Sequence, residues 1–240
     1  MRYKLTDENG KTYGGCEWGP GVSHSAPGTG ELCSDGWIHV YDSPYVAVMM
    51  NTCHADFENP LLWECEVSGL ELNDYGLKRI VQQCTTVREM SVPALTTEQR
   101  VEIAIRCVLH GCTDDNFSRW AERWLDGTDR SADAAWAIVT EAVSKAVSEK
   151  TIGGMEAATA HAAAKVAWGA ARAAACVGAA LEAACVGALG ASSKSVWAAA
   201  SNAVCVVASN AEIDIAAVIE GVVENDRHAQ ITGEGKCVTN

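Results

Sequence analysis

The chain has 240 residues, 48% of them hydrophobic, and carries a formal charge of −13 at pH 7 with an isoelectric point near 4.8. That length supplies one large core or two small ones, while the acidity repels phosphates and anionic lipid and excludes chain-wide binding to nucleic acid or a membrane surface. Eleven cysteines, an odd number without paired spacing, make no disulfide framework; with no apolar leader after Met1, the thiols are expected to stay reduced in a cytoplasm.

From Met1 to about Gly36 the text is dense in turn signals, among them Gly14-Gly15, Gly19-Pro20-Gly21 and Pro27-Gly28-Thr29-Gly30. Trp37 to Tyr41 reads as the first strand. Ser43 then offers a cap ahead of Pro44 at the first helical position, which predicts a short helix from Pro44 to about Asn51. In Leu61 to Val67, strict alternation puts Trp63, Cys65 and Val67 on one face and the carboxylates of Glu64 and Glu66 on the other, a strand with one solvated face. Leu77 to Gln82 and Thr85 to Val92 are two further strands by their β-branched content, and Pro93 marks a domain boundary.

Beyond Pro93 the periodicity turns helical. Thr96 to Gln99 fits a capping box, opening a helix to about His110. Asn116 is placed to cap the next, in which Phe117, Trp120, Ala121, Trp124 and Leu125 form an apolar stripe ended by Gly127. Ser131 opens a third helix, running to Gly153-Gly154. From Met155 to Asn210 alanine dominates; Ala174 to Ala179 recurs as Ala183 to Ala188, and His161, Lys165, Trp168 and Arg172 make one narrow polar edge. Small side chains let such helices approach closely. Between Arg172 and Lys194 the only charge is Glu182, yet so few residues are strongly apolar that a membrane span is rejected. Cys176, Cys185 and Cys205 read as small buried hydrophobes. A helix from Ser192 or Ser193 through Trp197 to Ala208 and another from a Ser209 to Glu212 capping box to about Val223 complete the chain, before a polar tail expected to fray.

The expected fold class is therefore α+β: a small mixed or antiparallel strand-rich domain over 1–93, an all-α alanine-rich domain over 94–224, and a frayed tail over 225–240. Among chemical candidates, Glu64 and Glu66 are a carboxylate pair suited to general acid and base work if they line a cleft. Trp18, Trp37, Tyr41 and Trp63 are candidates for an aromatic ligand pocket. No metal is expected: Cys33, His39, Cys53, His54 and Cys65 share one domain, and Cys107, His110 and Cys112 one helix end, but neither set has the spacing that presets ligand geometry.

The segments Tyr3 to Thr6, Trp18 to Gly21, Gly36 to Tyr41, Leu62 to Val67 and Thr96 to Val101, followed by alanine-rich helices, resemble an uncharacterised group of bacteriophage and actinobacterial proteins. That resemblance implies a phage accessory protein in the host cytoplasm and no particular activity. Gly36 to Tyr41, a helix containing Ala47, and Leu62 to Gly69 also resemble the middle of poly-ADP-ribose-polymerase-type ADP-ribosyltransferases, although the His-Gly-Ser or His-Gly-Thr strand that cradles NAD in that family is lacking. This second likeness implies a nucleotide held near His39, Tyr41 and Glu64 or Glu66. The expected function is a non-enzymatic binding or scaffold protein, without cofactor, that self-associates through its alanine-rich helices and engages a host protein or small nucleotide. A transferase-like activity and a structural virion component are the alternatives.

Overall fold

In the computed structural model the described residues are 1–111, 114–131, 133–135, 137–138, 189–209 and 212–232. The alanine-rich repeat, the polar edge from His161 to Arg172, Cys112, Cys176, Cys185 and most of the helix opened by Ser131 lie outside them. Strands β1 (Arg2–Thr6), β2 (Ser23–Ser25), β3 (Ile38–Val40), β4 (Leu61–Asp74) and β5 (Lys78–Met90) make one antiparallel sheet. Helix α1 (Pro44–His54) is inserted between β3 and β4; α2 (Thr97–Gly111), α3 (Asp115–Leu125), α4 (Leu189–Ala208) and α5 (Ile215–Thr232) follow.

The sheet is organised by the β4–β5 hairpin, which is longer than the sequence predicts. The expected strands 77–82 and 85–92 are one continuous strand, because Gln83 and Cys84 carry no turn chemistry and pair in register with Ser68 and Val67. Its tip passes through Tyr75 and Gly76, both at positive φ (52° and 75°), and is closed by Leu77 N–H donating to the Asp74 carbonyl. Mid-hairpin, the register slips between Ser68 and Glu71. Gly69 sits there at φ 79°, where a Cβ would lie 2.8 Å from the Gln82 side-chain oxygen, so only glycine fits the bulge.

On the outer edge of β4, β1 pairs from Arg2 with Cys65 to Thr6 with Leu61. Along the far edge of β5, β2 and β3 lie end to end, opposite Gln83–Thr85 and Arg79–Val81 respectively. One residue past β3, Tyr41 exchanges both backbone hydrogen bonds with Tyr3 of β1, at 2.9 and 2.7 Å. The sheet thereby curls until its first strand meets the end of its third. Inside this curl pack Trp18, Ile38, Val40, Trp63, Cys65, Val81 and Cys84. Lys4 is buried with them: its ammonium donates to the His39 carbonyl at 3.1 Å and lies 4.5 Å from the Trp18 ring centroid, and burial lowers its pKa.

The opposite face of the sheet, through Leu5 and Leu62, belongs to a second core shared with all five helices. Strands precede residue 93 and helices dominate after it, yet Leu5, Met49, Val101, Trp120, Val204 and Ile219 occupy one apolar cluster, so the two parts are not packed as separate cores. Local signals explain the helix starts. The Ser43 hydroxyl accepts from Tyr45 N–H ahead of α1 with Pro44 at its first position; Thr96 and Gln99 make the reciprocal capping-box bonds of α2, at 2.8 and 3.1 Å. At α3 the cap is Asp114, not Asn116: its carboxylate accepts from both Asn116 and Phe117 N–H. At α5 Asp214 accepts from Ala217 N–H; the expected Ser209 to Glu212 box runs through residues 210–211, which lie outside the described residues. The helix expected to end near Val223 continues to Thr232, where Asp226 accepts from Gln99 at 2.9 Å and Arg227 meets the Tyr45 hydroxyl. No helix among the described residues is long and apolar enough to cross a membrane.

Two buried polar groups tie α4 to the rest. Arg100 of α2 donates to the Val48 carbonyl at 3.2 Å and stacks 4.5 Å from the Trp197 ring centroid; burial lowers its pKa to about 10. Ser201, fully buried on α4, donates to the Met49 carbonyl (2.6 Å) and shares a 2.7 Å bond with the Thr52 hydroxyl, both on α1. Ser201→Ala removes the buried donor to the Met49 carbonyl and one partner of the half-buried Thr52 hydroxyl. We expect it to cost about 1–3 kcal/mol in urea unfolding.

Candidate functional site

Where α1 ends against α4, chemistry-bearing side chains converge. Cys53 and His54 are the last two residues of α1, and the chain reversal after them is built by Asn51. Its carbonyl accepts from Ala55 and Asp56 N–H, and its side chain both donates to the Phe57 carbonyl and accepts from Phe57 N–H. Asp56 takes a left-handed conformation (φ 52°) and pairs with Lys194 of α4 at 3.1 Å. From α4, Trp197, Ser201 and Cys205 recur at i, i+4 and i+8, so one stripe faces α1 and Cys205 falls opposite the helix end.

The resulting cluster is Cys53, His54 and Cys205, whose sulfur and ring-nitrogen atoms all lie within 4.8 Å of one another. The two sulfurs are 3.2 Å apart, and Cys53 also contacts the Asn202 amide oxygen at 3.5 Å. His54 Nδ1 is hydrogen-bonded to the Tyr41 hydroxyl at 3.2 Å, with the rings nearly parallel at 19° and 6.0 Å between centroids. Among the described residues no hydrogen-bond partner is found for Nε2. Cys53 is exposed, while His54 and Cys205 are half-buried.

The electrostatics favour a neutral imidazole and a Cys53 thiol more acidic than usual. Burial, assisted by the charge of Lys78, lowers the His54 pKa to about 4. The hydrogen bond shared with Cys205 lowers the Cys53 thiol to about 7, with Lys78 acting in the same direction, and raises Cys205. Tyr41 is held protonated by burial. Lys78, itself buried, donates to the Cys33 sulfur at 3.2 Å and pairs with Asp74 at 3.6 Å.

The residues singled out from sequence are placed differently. Trp18, Trp37 and Trp63 are buried, and each indole N–H is satisfied within the protein, by Thr12, the Gly30 carbonyl and Thr6 respectively. Glu64 does not face solvent: β4 runs between β1 and β5, its second face is covered, and the carboxylate is ion-paired with Arg88 at 2.6 Å. Glu66 is exposed. His39 bonds the Leu32 carbonyl at 2.9 Å, and burial lowers its pKa. No hydrogen bond joins any two of His39, Tyr41, Glu64 and Glu66. Of the candidates only Tyr41 enters the cluster, through His54. Cys205, read from sequence as a buried hydrophobe, is instead half-buried beside a second sulfur, because the α4 stripe that carries it meets the polar end of α1. A groove of about 300 Å³ between α2 and α5, lined by Arg106, His110, Val218 and Asn225 among others, contains none of Cys53, His54, Cys205 and Tyr41.

Comparison with protein-family models, with curated proteins and with solved structures returns no match. Functional assignment therefore rests on the chemistry of the cluster.

Proposed function

We propose that this chain is a non-enzymatic zinc-binding protein in which Cys53, His54 and Cys205 hold the ion and thereby fasten α4 to the end of α1. The observation that carries it is the convergence of two sulfurs and an imidazole within 4.8 Å from positions 152 residues apart in the chain. Tetrahedral zinc, with bonds of about 2.0–2.3 Å, sets its ligand atoms roughly 3.3–3.8 Å from one another, so side-chain adjustment alone completes the site. Thiolate and imidazole select a borderline-soft ion over magnesium or calcium, which require oxygen donors. Three protein ligands leave a fourth position for water at the exposed side of Cys53. The neighbouring carboxylates that a hydrolytic zinc would use as base are engaged, Asp56 by Lys194 and Asp74 by Lys78, which favours a fastening role over a catalytic one.

Around this centre we retain the wider proposal of a phage-encoded accessory protein of the host cytoplasm that self-associates through its alanine-rich segment; a strict monomer in sedimentation at micromolar concentration removes the self-association. An ADP-ribosyltransferase-like activity has less support, since Glu64 is held by Arg88 and Tyr41 by His54.

Titrating cobalt(II) and then zinc(II) into the reduced, metal-free full chain tests the metal site. One equivalent with thiolate-to-cobalt charge-transfer absorption is expected in the wild type and in Cys107→Ala. Its loss is expected in His54→Ala and Cys205→Ala. Unchanged binding in those two variants, or no binding by the wild type, overturns the assignment.

A further inference from the structure

We propose that Cys53 and Cys205 are also a reversible disulfide pair, formed by a peroxide when the cluster holds no metal, so that zinc and the disulfide exclude each other. The exclusion rests on the zinc assignment; the disulfide itself does not. Three observations carry it. The sulfurs are already 3.2 Å apart, and need to close by only about 1.1 Å to reach the bonding distance of a disulfide. The two thiols are unequal in access, Cys53 exposed and Cys205 half-buried, which is the arrangement of an attacking thiol and a resolving one. Finally, the pair joins separate elements, the end of α1 and the body of α4, so oxidation fixes covalently the same contact that the ion fastens.

The chemistry balances with the peroxide as sole oxidant. Cys53, as thiolate, attacks one peroxide oxygen; the O–O bond breaks, a sulfenic acid forms on Cys53, and the departing hydroxide leaves as water with the proton that Cys53 gave up. The Cys205 sulfur then attacks the sulfenic sulfur; the S–S bond forms, the S–O bond breaks, and the second water leaves with the Cys205 proton. Two thiols are oxidised by two electrons and one hydrogen peroxide is reduced to two waters. Metal-bound sulfurs have their nucleophilic electron pairs committed to the ion, so a loaded site resists the first step.

The test treats four samples of the full chain with hydrogen peroxide: zinc-free wild type, zinc-loaded wild type, zinc-free His54→Ala, and Cys205→Ala. Peptide mass spectrometry after alkylation reads the products. The expected result is a Cys53–Cys205 linked peptide, two hydrogens lighter than the sum of its parts, in the zinc-free wild type and in His54→Ala, and its suppression in the zinc-loaded protein. In Cys205→Ala, Cys53 is expected to advance to sulfinic acid. No linked peptide in either zinc-free sample overturns the disulfide and leaves the metal titration standing. A linked peptide that forms equally fast with and without bound zinc overturns the exclusion. Because His54→Ala lacks a metal ligand but keeps both thiols, failure of zinc binding and failure of disulfide formation are read separately.

Discussion

Replacing Trp120 with alanine is expected to lower the unfolding free energy by about 3–5 kcal/mol, enough on its own to threaten a fold of ordinary stability. Trp120 is fully buried on the apolar stripe of α3, tilted against Phe117 with 5.5 Å between ring centroids, and belongs to the core that the sheet shares with the helices. Truncation removes the transfer free energy of the indole and leaves a void that rigid neighbours fill only in part. The indole N–H has no hydrogen-bond partner among the described residues. Trp120→Phe therefore discards a donor that is buried without compensation while keeping most of the apolar volume, and should cost much less than the alanine variant. Urea unfolding of the two variants beside wild type checks this: a midpoint shift for Trp120→Ala no larger than for Trp120→Phe would show that the indole does not fill the core as described. Trp124 offers the matching case on the same stripe, with Arg130 stacked 4.4 Å from its ring.

What the sequence made legible follows the range of each signal. Signals that act over three or four residues were readable: the Ser43 and Pro44 start of α1, the Thr96 to Gln99 box of α2, the stripe from Phe117 to Trp124, and the alternation of Trp63 and Cys65. Competition between neighbours misleads where two cap residues stand close together, since Asp114 outreaches Asn116 at α3. The hairpin was harder, because Tyr75 at positive φ is not a turn signal in sequence and Gly69 looks like a chain break until its bulge is seen. Least legible was the cluster. A ligand set announces itself by spacing only when its members share one turn or helix. Here the third member is brought in by tertiary packing across 152 residues, and Cys205 stands in an apolar helix where cysteine ordinarily packs as a small hydrophobe. The sequence does put Cys53 and His54 in one weighed set, with Cys33, His39 and Cys65, but omits Cys205, which only the fold brings beside them.

Zinc in excess is expected to stabilise the reduced protein by about 2.7 kcal/mol when free metal stands at 100 times the dissociation constant, and by about 4.1 at 1,000 times. At roughly 2–4 °C per kcal/mol for a chain of this size, the melting temperature should rise by about 5–16 °C over the chelated state. The unfolded chain carries eleven thiols that compete for the ion, so the lower end is the more realistic figure. Cys205→Ala should abolish the zinc-dependent increment. Tyr41→Phe should weaken it without abolishing it, because the hydroxyl is not itself among the three clustered ligands but orients one of them through His54 Nδ1. Partners in that position typically govern metal affinity by about 10–100-fold, which at a free zinc of 100 times the wild-type dissociation constant removes about 1.3–2.3 of the 2.7 kcal/mol increment. Phenylalanine keeps the buried ring and the backbone bridge to Tyr3, so its metal-independent cost is confined to one lost hydrogen bond, and that cost is subtracted by melting each variant in chelator as well as in zinc. Were Tyr41→Phe to retain the full zinc increment, the hydroxyl would be structural only; were Cys205→Ala to retain it, the stabilising ion would be bound elsewhere on the chain.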